Sequence, residues 1–154
     1  MATHVNEFNQ LRTDIIPENL LETQGPTTEL IWLNAARLFK DREDFDYYLE
    51  LHYEAREETG WLDIPPGESL SITADGNTFK LTGTGGKNAQ TKIKNFAVEN
   101  ALYLVSADQL RAIARANKVT VDIDGRNGRV TREFAQPNFE KFRKFVKHFV
   151  EGEE

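Results

Sequence analysis

Asp122-x-Asp124, followed by Asn127, Gly128 and Glu133, has carboxylates at a spacing that could cage a calcium ion, with Glu133 twelfth counting Asp122 as first. The match fails where such loops are strict. Position six, normally glycine, is Asn127; position five is the cation Arg126; and the flanks alternate as strands where helices are needed. Gly83-Thr84-Gly85-Gly86-Lys87 invites comparison with a phosphate-cradling loop, because glycine-rich turns can aim backbone amides at an anion. Its spacing is wrong as well: Leu81 stands where the Walker pattern has its first glycine, and Asn88 stands where Ser or Thr should follow the lysine. His52, with Glu50, Glu54, Glu57 and Glu58, could be grouped as metal ligands, but on a strand His52, Glu50 and Glu54 share one face and form its solvated side more simply. No catalytic residue, cofactor site or metal ligand is nominated by these patterns.

The charges carry a more physical lead. The net charge of −6 argues against generic binding to nucleic acid or anionic lipid. Residues 1–79 nevertheless hold 16 Asp and Glu against 5 Lys and Arg, whereas residues 80–148 hold 6 against 14. Either the halves pair their strands and neutralise each other, or a basic face stays open to a polyanion. Candidate polyanion contacts are Lys87, Lys92 and Lys94 around the glycine loop and Arg111 and Arg115 on one helix, with Lys141, Arg143, Lys144 and Lys147 on another. No recognition-helix motif, aromatic RNA-binding strand or zinc knuckle accompanies them.

Positioning any of these residues falls to a chain of 154 residues, long enough for one domain burying about 70% of the surface its unfolded form exposes. We divide it into an arm (1–28), a domain (29–150) and an acidic tail (151–154). It has no cysteine, which removes disulfides and thiolate chemistry and suits a reducing compartment. No apolar run approaches the ~18 residues of a membrane span, and the first residues lack a secretion signal, so the cytoplasm is the expected location.

The arm shows weak helical spacing from Val5 to about Asp14, and Pro17 can open a second short helix ended by Gly25-Pro26; a mobile arm is the alternative. Phe45, Tyr47, Leu49, Leu51 and Tyr53 alternate against polar neighbours as a strand with one buried face. Residues 30–39 read as its antiparallel partner, with helix still open there. Pro65-Pro66-Gly67 marks a corner, and Asp75-Gly76 between alternating runs predicts a hairpin. Residues 83 to about 95 read as a flexible loop. Phe96 to Val105 reads as a buried strand holding Val98, Leu102 and Leu104. Ser106-x-x-Gln109 has capping-box spacing before a helix with apolar Leu110, Ile113 and Ala114, with Asn117 as terminator. A second hairpin with a longer loop over Asp124–Gly128 follows, then a helix whose Phe139, Phe142, Phe145, Val146 and Phe149 share one face. The order predicts an α+β fold: a mainly antiparallel, twisted sheet of about six or seven strands covered by two helices from the C-terminal half.

Tyr103-Leu104-Val105-Ser106, the run Leu110-x-x-Ile113-Ala114-x-Ala116-x-x-Val119-x-Val121-x-Ile123-x-Gly125, and Asn138-Phe139-x-x-Phe142-x-x-Phe145 together resemble a pattern in small uncharacterised bacterial α+β proteins, which also carry an upstream hairpin like Asp75-Gly76. The resemblance spans residues 68–150. It implies the architecture and brings no activity, cofactor or ligand.

The functional expectation is therefore a non-enzymatic protein-interaction or structural module, its aromatic side chains Trp32, Tyr48 and Trp61 the candidate contacts with a partner or a second copy. Polyanion binding through the basic residues is the alternative. A third reading, an enzyme of unfamiliar design, needs a pocket that gathers His52 with two carboxylates.

Overall fold

The computed structural model describes residues 2–5, 12–15, 18–21, 29–39, 41, 45–56, 58–86, 91–93 and 96–152, with the backbone alone for 2–5, 12–13 and 91–93. The strands are β1 (Ala2–Val5), β2 (Arg12–Ile15), β3 (Glu29–Phe39), β4 (Phe45–Arg56), β5 (Gly67–Ala74), β6 (Asn77–Gly83), β7 (Thr91–Ile93), β8 (Phe96–Val105), β9 (Val119–Gly125) and β10 (Gly128–Glu133). The helices are α1 (Ala107–Arg115) and α2 (Gln136–Phe145), the latter widening into a π turn over Val146–Val150. All ten strands join one antiparallel sheet in the order β1-β2-β3-β4-β8-β6-β5-β9-β10, with β7 also paired to β8. The fold is thus the α+β architecture expected, with more strands than predicted. No helix among the described residues is long and apolar enough to cross a membrane.

Two of the extra strands lie in the arm. Residues 2–5 and 12–15 pair with each other, and β2 continues onto β3, so the predicted helix from Val5 to Asp14 is replaced by strand where it is described. Residues 18–21 are not helical either: Glu18 sits at φ 56° and Leu20 is bridged to Trp32, and residues 22–28 lie outside the described part. Helical spacing of three apolar residues was outweighed by the open edge of β3, whose amides and carbonyls need partners.

The β3–β4 hairpin runs unbroken from Glu29↔Ala55 to Phe39↔Phe45, which makes residues 29–39 a strand. Asp75 and Gly76, at φ 48° and 87°, form the tight turn between β5 and β6. The second hairpin is tighter than predicted: Gly125 pairs with Gly128 and leaves only Arg126-Asn127 in the turn. Ser106 and Gln109 make both capping-box bonds at 3.0 Å, as their spacing implies.

The core gathers alternate residues from one face of the sheet: Ile31, Leu33, Leu49, Leu51, Tyr53, Tyr103, Leu70, Ile72, Val121 and Ile123, closed by Leu110, Ile113, Phe139, Phe142 and Phe145 from the helices. The sheet coils around this core. Arg132 on β10 donates through a terminal guanidinium nitrogen to the Glu29 carbonyl on β3 at 3.1 Å. Those strands are six places apart in the order, which a flat sheet would spread over about 29 Å. The face away from the core is therefore convex.

A crossing segment locks the two halves. The buried Glu99 carboxylate accepts from the amides of Leu62 (2.8 Å), Asp63 (3.1 Å) and Ile64 (2.9 Å). On the other side, the carbonyls of Trp61, Leu62 and Asp63 accept from Asn127 Nδ2, Asn127 N and Arg126 N. Gly125 is needed for closeness, because a Cβ there would collide with the Leu62 carbonyl.

Three phenols sit in or against this core. Burial raises the pKa of Tyr103 to about 12, and raises those of Tyr53, beside Glu29 and Glu99, and Tyr47. A phenol whose folded pKa exceeds its unfolded value contributes stability that is complete below the unfolded value of about 10 and lost as pH rises through the folded one. Each fully buried phenol should therefore remove stability at about 1.4 kcal/mol per pH unit above ~10. Absorbance at the phenolate band should show Tyr53 and Tyr103 ionising only as the circular dichroism of the fold collapses. Full phenolate absorbance in the native protein at pH 11 would contradict this.

Candidate functional site

Antiparallel partners share a face, so the register places every outward side chain of the central strands. On the convex side, β4 presents Asp46, Tyr48, Glu50, His52, Glu54 and Arg56. Beside it on β3 stand Leu38, Ala36, Asn34, Trp32 and Leu30, and beside it on β8 stand Leu104, Leu102, Asn100, Val98 and Phe96. Leu20, bridged to Trp32, extends the surface by one more chain. The exposed large apolar side chains among the described residues are Leu20 (39%), Leu30 (39%), Phe96 (38%) and Leu104 (54%), and all of them belong to this face. The helices pack on the opposite side, where Tyr47 meets the Phe145 ring and donates to the Phe149 carbonyl. Random scatter of surface leucines needs no account, but their collection on one sheet face, with no helix packed over it among the described residues, does.

β8 departs from expectation here. Leu102 and Leu104, read as buried, point outward; the inward residues are Ala97, Glu99, Ala101, Tyr103 and Val105, while Val98 is buried on the outer side. A strand with apolar residues on both faces gives no alternation to read, and an inward glutamate hid the phase.

Two of the three candidate aromatics, Trp32 and Tyr48, lie half-buried on the convex face. Trp61 does not join them; it belongs to the crossing segment. His52 stands between Trp32, whose ring meets it edge-on at 5.0 Å, and Asn100, whose Oδ1 is 2.5 Å from Nδ1. Its Nε2 is 3.6 Å from Glu54. Both ring nitrogens thus face neighbours on the outward surface of the sheet. Glu50 accepts from Asn34 Nδ2 at 3.2 Å.

Several of the described basic residues are engaged within the chain. Arg111 bonds Glu151 at 2.8 Å and Asp108 at 2.9 Å, so the start of the acidic tail folds back onto α1. Arg143 donates to the Ala114 and Ala116 carbonyls at the end of α1, and Lys141 donates to the Glu18 carbonyl. Arg115 is exposed on α1. Lys87 and Lys94 lie outside the described residues, and Lys92 is placed on β7 by its backbone. The glycine loop is fixed where it is described: Gly85 and Gly86 are buried, Gly86 N–H donates to the Ile64 carbonyl, and Gly85 packs on Pro65-Pro66 at φ 78°. Its glycines let backbones approach, and the Gly86 amide is turned inward. Asp122 and Asp124 are bridged by Arg129 at 3.4 and 3.5 Å, with Thr131 donating to Asp122 at 2.6 Å. No group of three or more His, Asp or Glu among the described residues is arranged to hold a metal ion.

Leu20, Leu30, Phe96 and Leu104 were not marked as contact residues by sequence. The available signal was the outward phase of β3, since Leu30 and Trp32 fall opposite Ile31 and Leu33, but that phase needed the β3–β4 register to be fixed. No protein-family model, curated protein or solved structure matches this chain.

Proposed function

We propose that the chain is a protein-contact module and that its contact surface is the convex face of β3, β4 and β8. The observation that carries this reading is the gathering of Leu20, Leu30, Phe96 and Leu104 on one face that carries no helix among the described residues, with Trp32 and Tyr48 half-buried between them. Half-buried aromatics framed by aliphatic side chains suit a contact centre, because they add large area at small cost in rotamer freedom. Polyanion binding has less support: Arg111, Arg143 and Lys141 already donate to groups within the chain.

A photo-crosslinking amino acid placed at Leu30 or Leu104 should give discrete adducts with a partner in the native host, while the same group at Thr78 or Lys144 should give none. Equal labelling at all four positions, or none at 30 and 104, would defeat the reading.

A further inference from the structure

We infer that the convex face takes a basic, amphipathic polypeptide that sets Lys or Arg side chains over the β4 stripe and apolar side chains on either side. This rests on the contact-module reading and names the partner's chemistry.

The outward residues of β4 run Asp46, Tyr48, Glu50, His52, Glu54 and Arg56, so carboxylates occupy three of the six positions and the single arginine stands at the end. The stripe is flanked by apolar ridges: Leu30, Trp32 and Leu20 on the β3 side, and Phe96, Leu102 and Leu104 on the β8 side. Strands two places apart are separated by about 10 Å, close to the diameter of a helix with its side chains. The stripe between the ridges is acidic, and Glu50 and Glu54 are both steadied, by Asn34 and beside His52. A partially ordered acceptor loses less side-chain entropy when a cation arrives.

Charge also bears on the occupant. A two-fold axis lying in this face across β4 would set Asp46 against Arg56 and Glu50 against His52, a contact that sedimentation tests for, whereas one along β4 would set each carboxylate against its own copy. A polyanion meets the same repulsion. A basic amphipathic chain meets attraction along the stripe and burial at both ridges. The surface spans about 34 Å along β4 and about 14 Å across three strands, roughly 500 Å². That is below the ~800 Å² per partner of stable complexes, so a micromolar, reversible contact is expected.

The test uses the full chain and three synthetic helical peptides of about 18 residues: Lys/Leu amphipathic, Glu/Leu amphipathic, and Lys/Ser of equal charge. Isothermal titration should give saturable micromolar binding of the Lys/Leu peptide, with the other two weaker by about tenfold or more. Glu50→Lys/Glu54→Lys should weaken Lys/Leu binding by at least about tenfold and strengthen Glu/Leu binding, and Leu104→Gln should weaken Lys/Leu binding by about fivefold. Glu133→Lys/Glu140→Lys changes the net charge equally on exposed positions elsewhere and should leave binding within about twofold. Equal losses from the two charge pairs would mean diffuse attraction to an acidic protein and would overturn the inference. So would a dimer in sedimentation that Leu104→Gln abolishes, which assigns the face to a second copy and leaves the contact-module reading standing. Insensitivity of both peptide binding and self-association to Leu30→Gln and Leu104→Gln would remove the inference and that reading together.

Discussion

Replacing Glu99 by alanine is expected to cost about 4 kcal/mol of folding stability, a large part of what a protein of this size has to lose. Glu99 is fully buried on the inner face of β8, next to Tyr53 across the strand pair. Burying a carboxylate is costly unless its oxygens are met by donors, and here the Leu62, Asp63 and Ile64 amides meet them at 2.8 to 3.1 Å. Alanine would leave those amides without their acceptor and open a space beside Gly86, whose backbone approaches the Glu99 side chain closely. The damage should travel, because the same segment receives the β9–β10 turn through Arg126 and Asn127. Glu99→Gln keeps the shape and one acceptor oxygen but aims an amide group at a donor, so about half the loss is expected. Urea unfolding measures both, and hydrogen exchange should show the amides of residues 62–64 losing protection first in the glutamine variant. A loss below about 1 kcal/mol for alanine would mean that the carboxylate does not hold this segment.

Glu99 also shows why the sequence was legible in some places and opaque in others. β4, α1 and α2 each bury one face and expose the other, and their periodicity was readable because burial imposes it. The Asp75-Gly76 turn and the Ser106 cap were readable because the chemistry is local. β8 was misread in phase: its inward face holds two alanines and a glutamate, small or charged residues that only a partner segment makes sensible. The glycines at 83, 85 and 86 read as loop residues, and the close approaches of Tyr103, Pro66 and Glu99 to them could not be read from the local sequence. The contact face was half legible. Trp32 and Tyr48 stood out as aromatics, but their union with Leu20, Leu30, Phe96 and Leu104 depends on pairings between strands as far apart as β3 and β8. Long-range register is a property of the whole sheet, and no short stretch encodes it.

Asn138→Ala is expected to cost about 3 kcal/mol, and the reason is a chain of amide groups running from α2 to the convex face. Asn138 Oδ1 accepts from the Ala135 amide at 2.8 Å, capping α2, while its Nδ2 donates to Asn19 Oδ1 at 2.7 Å and to the Leu20 carbonyl at 2.8 Å. Asn19 passes the connection on: its Nδ2 donates to the Leu33 carbonyl at 2.8 Å, and its backbone amide donates to Asn34 Oδ1 at 2.9 Å. Asn34 Nδ2 then donates to Glu50. Asn138, Asn19 and Asn34 are all buried, so none can exchange its partner for water. Removing Asn138 strands an N-terminal amide of α2, the Asn19 side-chain Oδ1 and the Leu20 backbone carbonyl at once. Asn138→Asp keeps the cap but loses both donors and places charge among carbonyl oxygens, so it should cost at least as much as alanine. Because Asn19 and Asn138 act through each other, a double-mutant cycle with Asn19→Ala should show a coupling of about 1 to 2 kcal/mol. Additivity within about 0.5 kcal/mol would mean that the two amides contribute separately and that α2 has no polar link to the sheet edge. With coupling, the loss should also reach the outer surface: Leu20 would be released from Trp32, and hydrogen exchange should rise at residues 19–21 and at Leu33 on β3, whose amide donates to the Asn19 backbone carbonyl. One buried amide on a helix would then be setting the margin of the face on which Glu50 and Trp32 stand.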